Sequence, residues 1–135
     1  MIKRNKIPLI VQANLLQLHF PDSKYFIKND ILTWKGYLQP NVLSQRYLIK
    51  IEYKVHCHPD VFVLSPKPLL LPSGKTELEH VYDTKTQKLC IYYRNSLEWY
   101  DTMLIVNTII PWTSEWLLHY EYWVTTGVWH GGGIH

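Results

Sequence analysis

The chain has 135 residues, 47% of them hydrophobic and 19% charged, which suits a single domain over residues 1–135 with a real core and excludes a disordered polypeptide. Its net charge of +3 is weak, and the one basic run, Lys3-Arg4-Asn5-Lys6, is too short to argue for nucleic acid. No apolar stretch reaches the roughly 18 residues of a membrane span, and nothing resembles a secretory leader. Two cysteines, Cys57 and Cys90, are no disulfide scaffold, so a cytoplasmic protein with reduced thiols is expected.

In chain order, Pro8 to Phe20 reads as a helix: Pro8 suits the first helical position, and Leu9, Ala13, Leu16 and Phe20 recur on one face before Pro21 stops it. Residues 22–30 read as a polar connection in which Tyr25-Phe26-Ile27 packs back on the body. Ile31 to Leu38 reads as a strand with Leu32, Trp34 and Leu38 on one face, and Gln39-Pro40-Asn41 as a turn. Arg46 to Val55 is the clearest strand, because Tyr47, Ile49, Ile51, Tyr53 and Val55 alternate with mostly polar residues. His56 to Asp60 makes the next turn and Val61 to Leu64 the next strand, so these strands form an antiparallel meander.

Residues 65–79 carry Pro66, Pro68, Pro72 and Gly74, and read as irregular. His80 follows, then a solvated loop, Asp83 to Lys88, which holds no large apolar side chain. Leu89-Cys90-Ile91-Tyr92-Tyr93 reads as a fourth strand. Thr102 to Ile110 is apolar nearly all round and is read as a buried helix, broken by Pro111. A last helix is expected to be capped by Thr113 or Ser114, to bury Trp116, Leu117, Tyr120, Trp123 and Val124, and to stop at Gly127. The fold class is α+β, with an N-terminal helix, a four-stranded antiparallel meander and C-terminal helices.

Cys90 enters its apolar run from a loop, where a partner can reach the thiol, although a lone cysteine in such a run is commonly core filler. A metal site is the rival constellation. Only His56-Cys57-His58 is closely spaced, and in an extended segment the two imidazoles would face one way and the thiol the other; no second pair completes a zinc set, so no metal or other cofactor is expected. Gly131-Gly132-Gly133 is followed by Ile134-His135, unlike a tail ending in a free Gly-Gly carboxylate.

Several of these residues, taken in order, resemble the ubiquitin-conjugating enzymes. Trp34-Lys-Gly-Tyr-Leu-Gln-Pro40 is similar to that family's Trp-containing strand and Gly-Pro turn. The Tyr47–Tyr53 strand and Pro59-Asp-Val-Phe-Val match the next two pieces. His80-Val-Tyr82 and Leu89-Cys90-Ile91 stand at the separation of the family's His-Pro-Asn and catalytic cysteine, and Trp99 follows at nearly the family's distance. More narrowly, the His80–Tyr92 block, Ile110-Pro-Trp-Thr-Ser-Glu-Trp-Leu, Tyr120-Glu-Tyr-Trp and the Thr126–His135 end resemble the stand-alone members found in short antiphage (CBASS-type) operons beside a cGAS-like nucleotidyltransferase.

The resemblance implies a ubiquitin-conjugating-like fold and a Cys90 thiol that accepts the nucleotidyltransferase's C-terminus as a thioester and passes it to an amine, on a protein or a small molecule. It implies a loop-holding or proton-transferring role for His80. Tyr82 stands where the family has its asparagine, and an O–H donated to the oxyanion would replace that amide. Glu98 and Asp101 are candidate proton acceptors for the amine. A partner-binding module of the same fold without chemistry is the contrasting reading.

Overall fold

The computed structural model describes residues 6–92 and 99–130. Helix α1 (Leu9–His19) begins one residue later than expected, with Pro8 as its extended N-cap. It buries Gln12, Ala13 and Leu16, and Leu9 and Phe20 pack against the core. Buried Gln12 is absent from the expected face, and its role is specific: Nε2 donates to the Met103 carbonyl at 2.8 Å and Oε1 accepts the Ile105 N–H at 2.9 Å. One amide thus satisfies two backbone groups of a distant segment and ties α1 to it.

Residues 22–30 are not merely a connection. They contain strand β1 (Lys24–Lys28), which pairs antiparallel with β2 (Ile31–Leu38). Asn29 and Asp30 join them with φ of 53° and 61°, the left-handed pair that a two-residue hairpin needs to match the twist of its strands. Only Tyr25 of β1 is even half-buried, so this strand carries no alternating signal.

Strand β3 (Tyr47–Lys54) matches its expected pattern, with Tyr47, Ile49, Ile51 and Tyr53 buried. Each of the two isoleucines contributes roughly 1.5–3 kcal/mol by full burial. Strand β4 (Asp60–Ser65) follows, and then a hairpin of β5 (Val81–Asp83) and β6 (Lys88–Leu89). Among the described residues the sheet therefore has six strands, all antiparallel, in the order β1-β2-β3-β4-β6-β5. The expected four-stranded layout is corrected accordingly, while the α+β class stands. The expected strand at Cys90 ends at Leu89, and Tyr93 lies outside the described residues.

The expected helix over Thr102–Ile110 is replaced by turns and one 3-10 turn, Ile105–Asn107. Ile105 and Val106 are buried from this irregular backbone, whose polar groups are satisfied in part by Gln12, while Ile109 and Ile110 are buried from the helix that follows. Helix α2 then runs Ile109–Thr126, straight through Pro111. Pro111 lies in the first turn, where a missing N–H has no carbonyl to lose, so it does not break the helix. Among the described residues the C-terminal helices thus reduce to one α-helix. Thr113 does not cap it, because its hydroxyl is buried and donates to Ile109 O at 2.7 Å. Trp116, Leu117, Tyr120 and Trp123 form the buried stripe, and Gly127 closes the helix at φ 79°. No helix among the described residues is long and apolar enough to cross a membrane.

Candidate functional site

The site is built on the β5–β6 hairpin and on what holds its two ends together. Immediately before β5, His80 takes a left-handed φ of 54°, a conformation uncommon outside glycine that histidine, like asparagine and aspartate, adopts more readily than most. That twist aims its carbonyl inward, where it accepts the Cys90 N–H at 3.0 Å and the Trp116 Nε1–H at 2.9 Å. Cys90, one residue beyond β6, is thereby fixed by the backbone of His80 and by helix α2. Its side chain is buried, with the residue 7% exposed, and the thiol donates to Tyr92 O at 3.4 Å.

The His80 ring has its own support. It lies nearly flat on Trp129, 4.5 Å between centroids at 25°, with Nε2 3.7 Å from a Glu79 carboxylate oxygen. Trp129 follows the Gly127 turn and packs also against Trp116 and Trp123. The chain therefore returns from α2 to floor the imidazole with an indole.

Tyr82 is carried elsewhere. Its ring, on a residue 46% exposed, lies 5.6 Å from the Lys88 ammonium, beside an open hollow of about 450 Å³ between Thr76–Leu78 and Val81–Lys85. The hairpin's turn is set by Asp83, whose carboxylate accepts the Thr86 hydroxyl at 2.6 Å and the Thr86 N–H at 3.2 Å. Those hydrogen bonds favour the ionised form and hold the carboxyl below its ordinary range.

Sequence reasoning missed three residues here. Gln87, read as part of a solvated loop, is buried and left-handed at φ 55°. Its Oε1 accepts the Leu69 N–H at 2.7 Å, and its Nε2 donates to Val63 O and Pro66 O at 3.0 Å each. It clamps the proline-rich segment onto β4 and the hairpin; a long amide opposite an irregular segment is the only sequence trace of it. Tyr92 is the second. Its hydroxyl meets His58 Nδ1 at 2.8 Å, and its ring stacks on that imidazole and tilts against Trp112. The third is His58 itself, which the sequence offered only as a metal ligand.

The left-handed φ of 73° at His56 breaks the extended geometry assumed for His56-Cys57-His58, so the two imidazoles meet different partners. Among the described residues no three His, Cys, Asp or Glu side chains gather as metal ligands. Trp99 is a core residue, its ring edge-on to Tyr53 at 5.1 Å and its Nε1 donating to the Thr108 hydroxyl at 2.9 Å. Asp101 lies 3.5 Å from His56, whereas Glu98 and the Gly131–Gly133 run lie outside the described residues.

A family model described as Type II CBASS E2 protein matches residues 12–135. No curated protein matches the chain.

Proposed function

The chain belongs to the type II CBASS E2 proteins, and from that E2-like role in antiphage defence we propose that it is a cysteine-based conjugating enzyme with a ubiquitin-conjugating-like fold. Cys90 Sγ attacks the activated C-terminal carbonyl of a partner protein, a cGAS-like nucleotidyltransferase by the resemblance. The thiol loses its proton, the former leaving group departs, and a thioester results. An amine of an acceptor protein or small molecule then attacks the thioester carbon, giving an amide and returning the thiol.

The observation that carries this reading is the double anchoring of Cys90. Its N–H is held by the His80 carbonyl, which helix α2 braces in turn through Trp116. A nucleophile gains rate when its backbone cannot wander from the attacking position. The thiol donates to Tyr92 O, so attack on an incoming carbonyl requires that contact to open. His80 is assigned to positioning, because its carbonyl holds Cys90 and its ring is pressed on Trp129. An oxyanion-donating role for the Tyr82 O–H rests on the resemblance alone, since its half-exposed ring stands beside Lys88 and the open hollow.

The burial of Cys90 favours a second reading, a partner-binding module without chemistry. Expression with the neighbouring genes, followed by non-reducing electrophoresis and mass spectrometry, separates the two. A reductant-sensitive adduct lost in Cys90→Ala and kept in Cys57→Ala identifies the enzyme. A partner that co-purifies with no adduct, even in Cys90→Ser where a longer-lived ester would accumulate, identifies the binding module.

A further inference from the structure

Three side chains far apart in the chain meet at the β3–β4 turn. Lys6 Nζ lies 2.7 Å from His56 Nε2, and His56 Nδ1 lies 3.5 Å from Asp101 Oδ2. Each is set in place by backbone. The Ile7 N–H donates to Asp101 O at 2.9 Å, so the N-terminal arm is tied beside the carboxylate. The Cys57 N–H donates to Lys54 O at 2.9 Å, closing the tight turn that turns His56 outward at φ 73°. An amine, an imidazole and a carboxylate in line form the arrangement that activates a nucleophile through its neighbouring base.

From this geometry we propose that Lys6 is an acyl-accepting amine, with His56 as its proton acceptor and Asp101 as the carboxylate that orients the imidazole and stabilises its charged form. Fewer than about one in a thousand ordinary lysine amines is neutral at pH 7, which is why an unassisted lysine is a slow nucleophile. As Nζ attacks, one Lys6 proton passes to Nε2, on the ring whose Nδ1 faces Asp101.

The same turn is linked to the segment that carries the thiol through His58 and Tyr92. His56 holds Lys6, while His58 holds the Tyr92 hydroxyl, and the Tyr92 carbonyl holds the Cys90 thiol. The acyl group is that of the Cys90 thioester, so for its acyl source this inference rests on the proposed function. The amide bond C(O)–Nζ forms and the bond C(O)–S breaks. The amine's protons pass to His56 and to solvent, and the departing thiolate takes one back. The product is an isopeptide on Lys6, and the enzyme thereby modifies its own chain or a second copy.

Amine reactivity can be read without any cargo. The full chain in a Cys57→Ala background, so that no acyl group reaches Lys6 by way of the adjacent thiol, is treated with trace acetic anhydride at pH 7. Acetylation is followed lysine by lysine by mass spectrometry, with exposed Lys24 and Lys28 as references. Lys6 is expected to react about tenfold faster than the references, a modest value for base assistance at an open site. His56→Ala should bring it to their rate, and Asp101→Asn part of the way. A Lys6 rate equal to the references, or one unmoved by His56→Ala, overturns the proposal. Cys90→Ala leaves this labelling intact, so failure of the thioester chemistry is seen separately. With cargo loaded on Cys90, an isopeptide that persists unchanged in Lys6→Arg refutes the acceptor role.

Discussion

Replacing Gln87 by leucine tests the claim that one amide holds the segment before His80 against the sheet. The substitution keeps a side chain of similar bulk and deletes three hydrogen bonds, to Leu69 N–H, Val63 O and Pro66 O. The Leu69 N–H and Val63 O bonds are buried, whereas the Pro66 bond is only partly so and its carbonyl can regain water. Orphaning two buried backbone groups costs about 1–3 kcal/mol each. The added apolar burial offsets about 1–2 kcal/mol of that, leaving a net loss of about 3 kcal/mol. In a chain of 135 residues this lowers Tm by about 10 °C. Gln87→Glu should do no better, since it keeps an acceptor for Leu69 but turns a carboxylate oxygen toward two carbonyls. Equilibrium denaturation followed by tryptophan fluorescence gives the stability, and amide exchange at Leu69 gives the local effect. A midpoint for Gln87→Leu equal to that of the unsubstituted protein, with Leu69 still protected, would refute the reasoning.

A Cβ added at Gly36 overlaps Trp34 Cζ2 and comes within 2.6 Å of Cη2 and 3.0 Å of Ser23 Cβ. The indole is buried and tethered to the Ser23 hydroxyl at 2.9 Å, so Gly36→Ala should cost about 1–3 kcal/mol in a denaturation series. Tyr53 points the other way: its hydroxyl is buried with no hydrogen-bond partner among the described residues. Tyr53→Phe, keeping the ring against Trp99, should therefore be neutral or stabilise by up to about 1 kcal/mol; a loss beyond that would mean the hydroxyl is engaged. Burial pushes Tyr53 and Tyr120 up to about 12, and Tyr47 is also raised, by burial first and then by Glu121. Their neutral hydroxyls stabilise fully below the unfolded value near 10 and lose that contribution as pH rises through about 12. Stability measured against pH should fall over that interval, and less steeply in Tyr53→Phe.

Where one face of an element is buried and the other wet, burial imprints a period that can be read from the order of residues alone. Strand β3, the Leu32-Trp34-Leu38 face, most of α1 and the Trp116–Trp123 stripe were readable for that reason. The edge strand β1 buries almost nothing, and so its only mark was the Asn29-Asp30 turn. Pro111 and the Thr102–Ile110 segment misled because proline is tolerated in a first helical turn and because apolar residues can be buried from a turn as well as from a helix. Cys90 and His80 could be singled out through the family resemblance. Their joining through a backbone carbonyl could not, since backbone contacts leave no residue signature.

The sequence by itself determined the α+β class, the main strands, the bulk of the core and the family, because all of these depend on residue type and order along the chain. Only the tertiary structure decided the six-strand order, the clamp at Gln87, the brace from Trp116 to His80, and the convergence of Lys6, His56 and Asp101. Each of these links residues far apart in sequence through a directional polar contact. Hydrophobic burial depends on area and can be summed from composition and period, whereas a hydrogen bond depends on where two atoms meet, and that is settled only when the chain has folded.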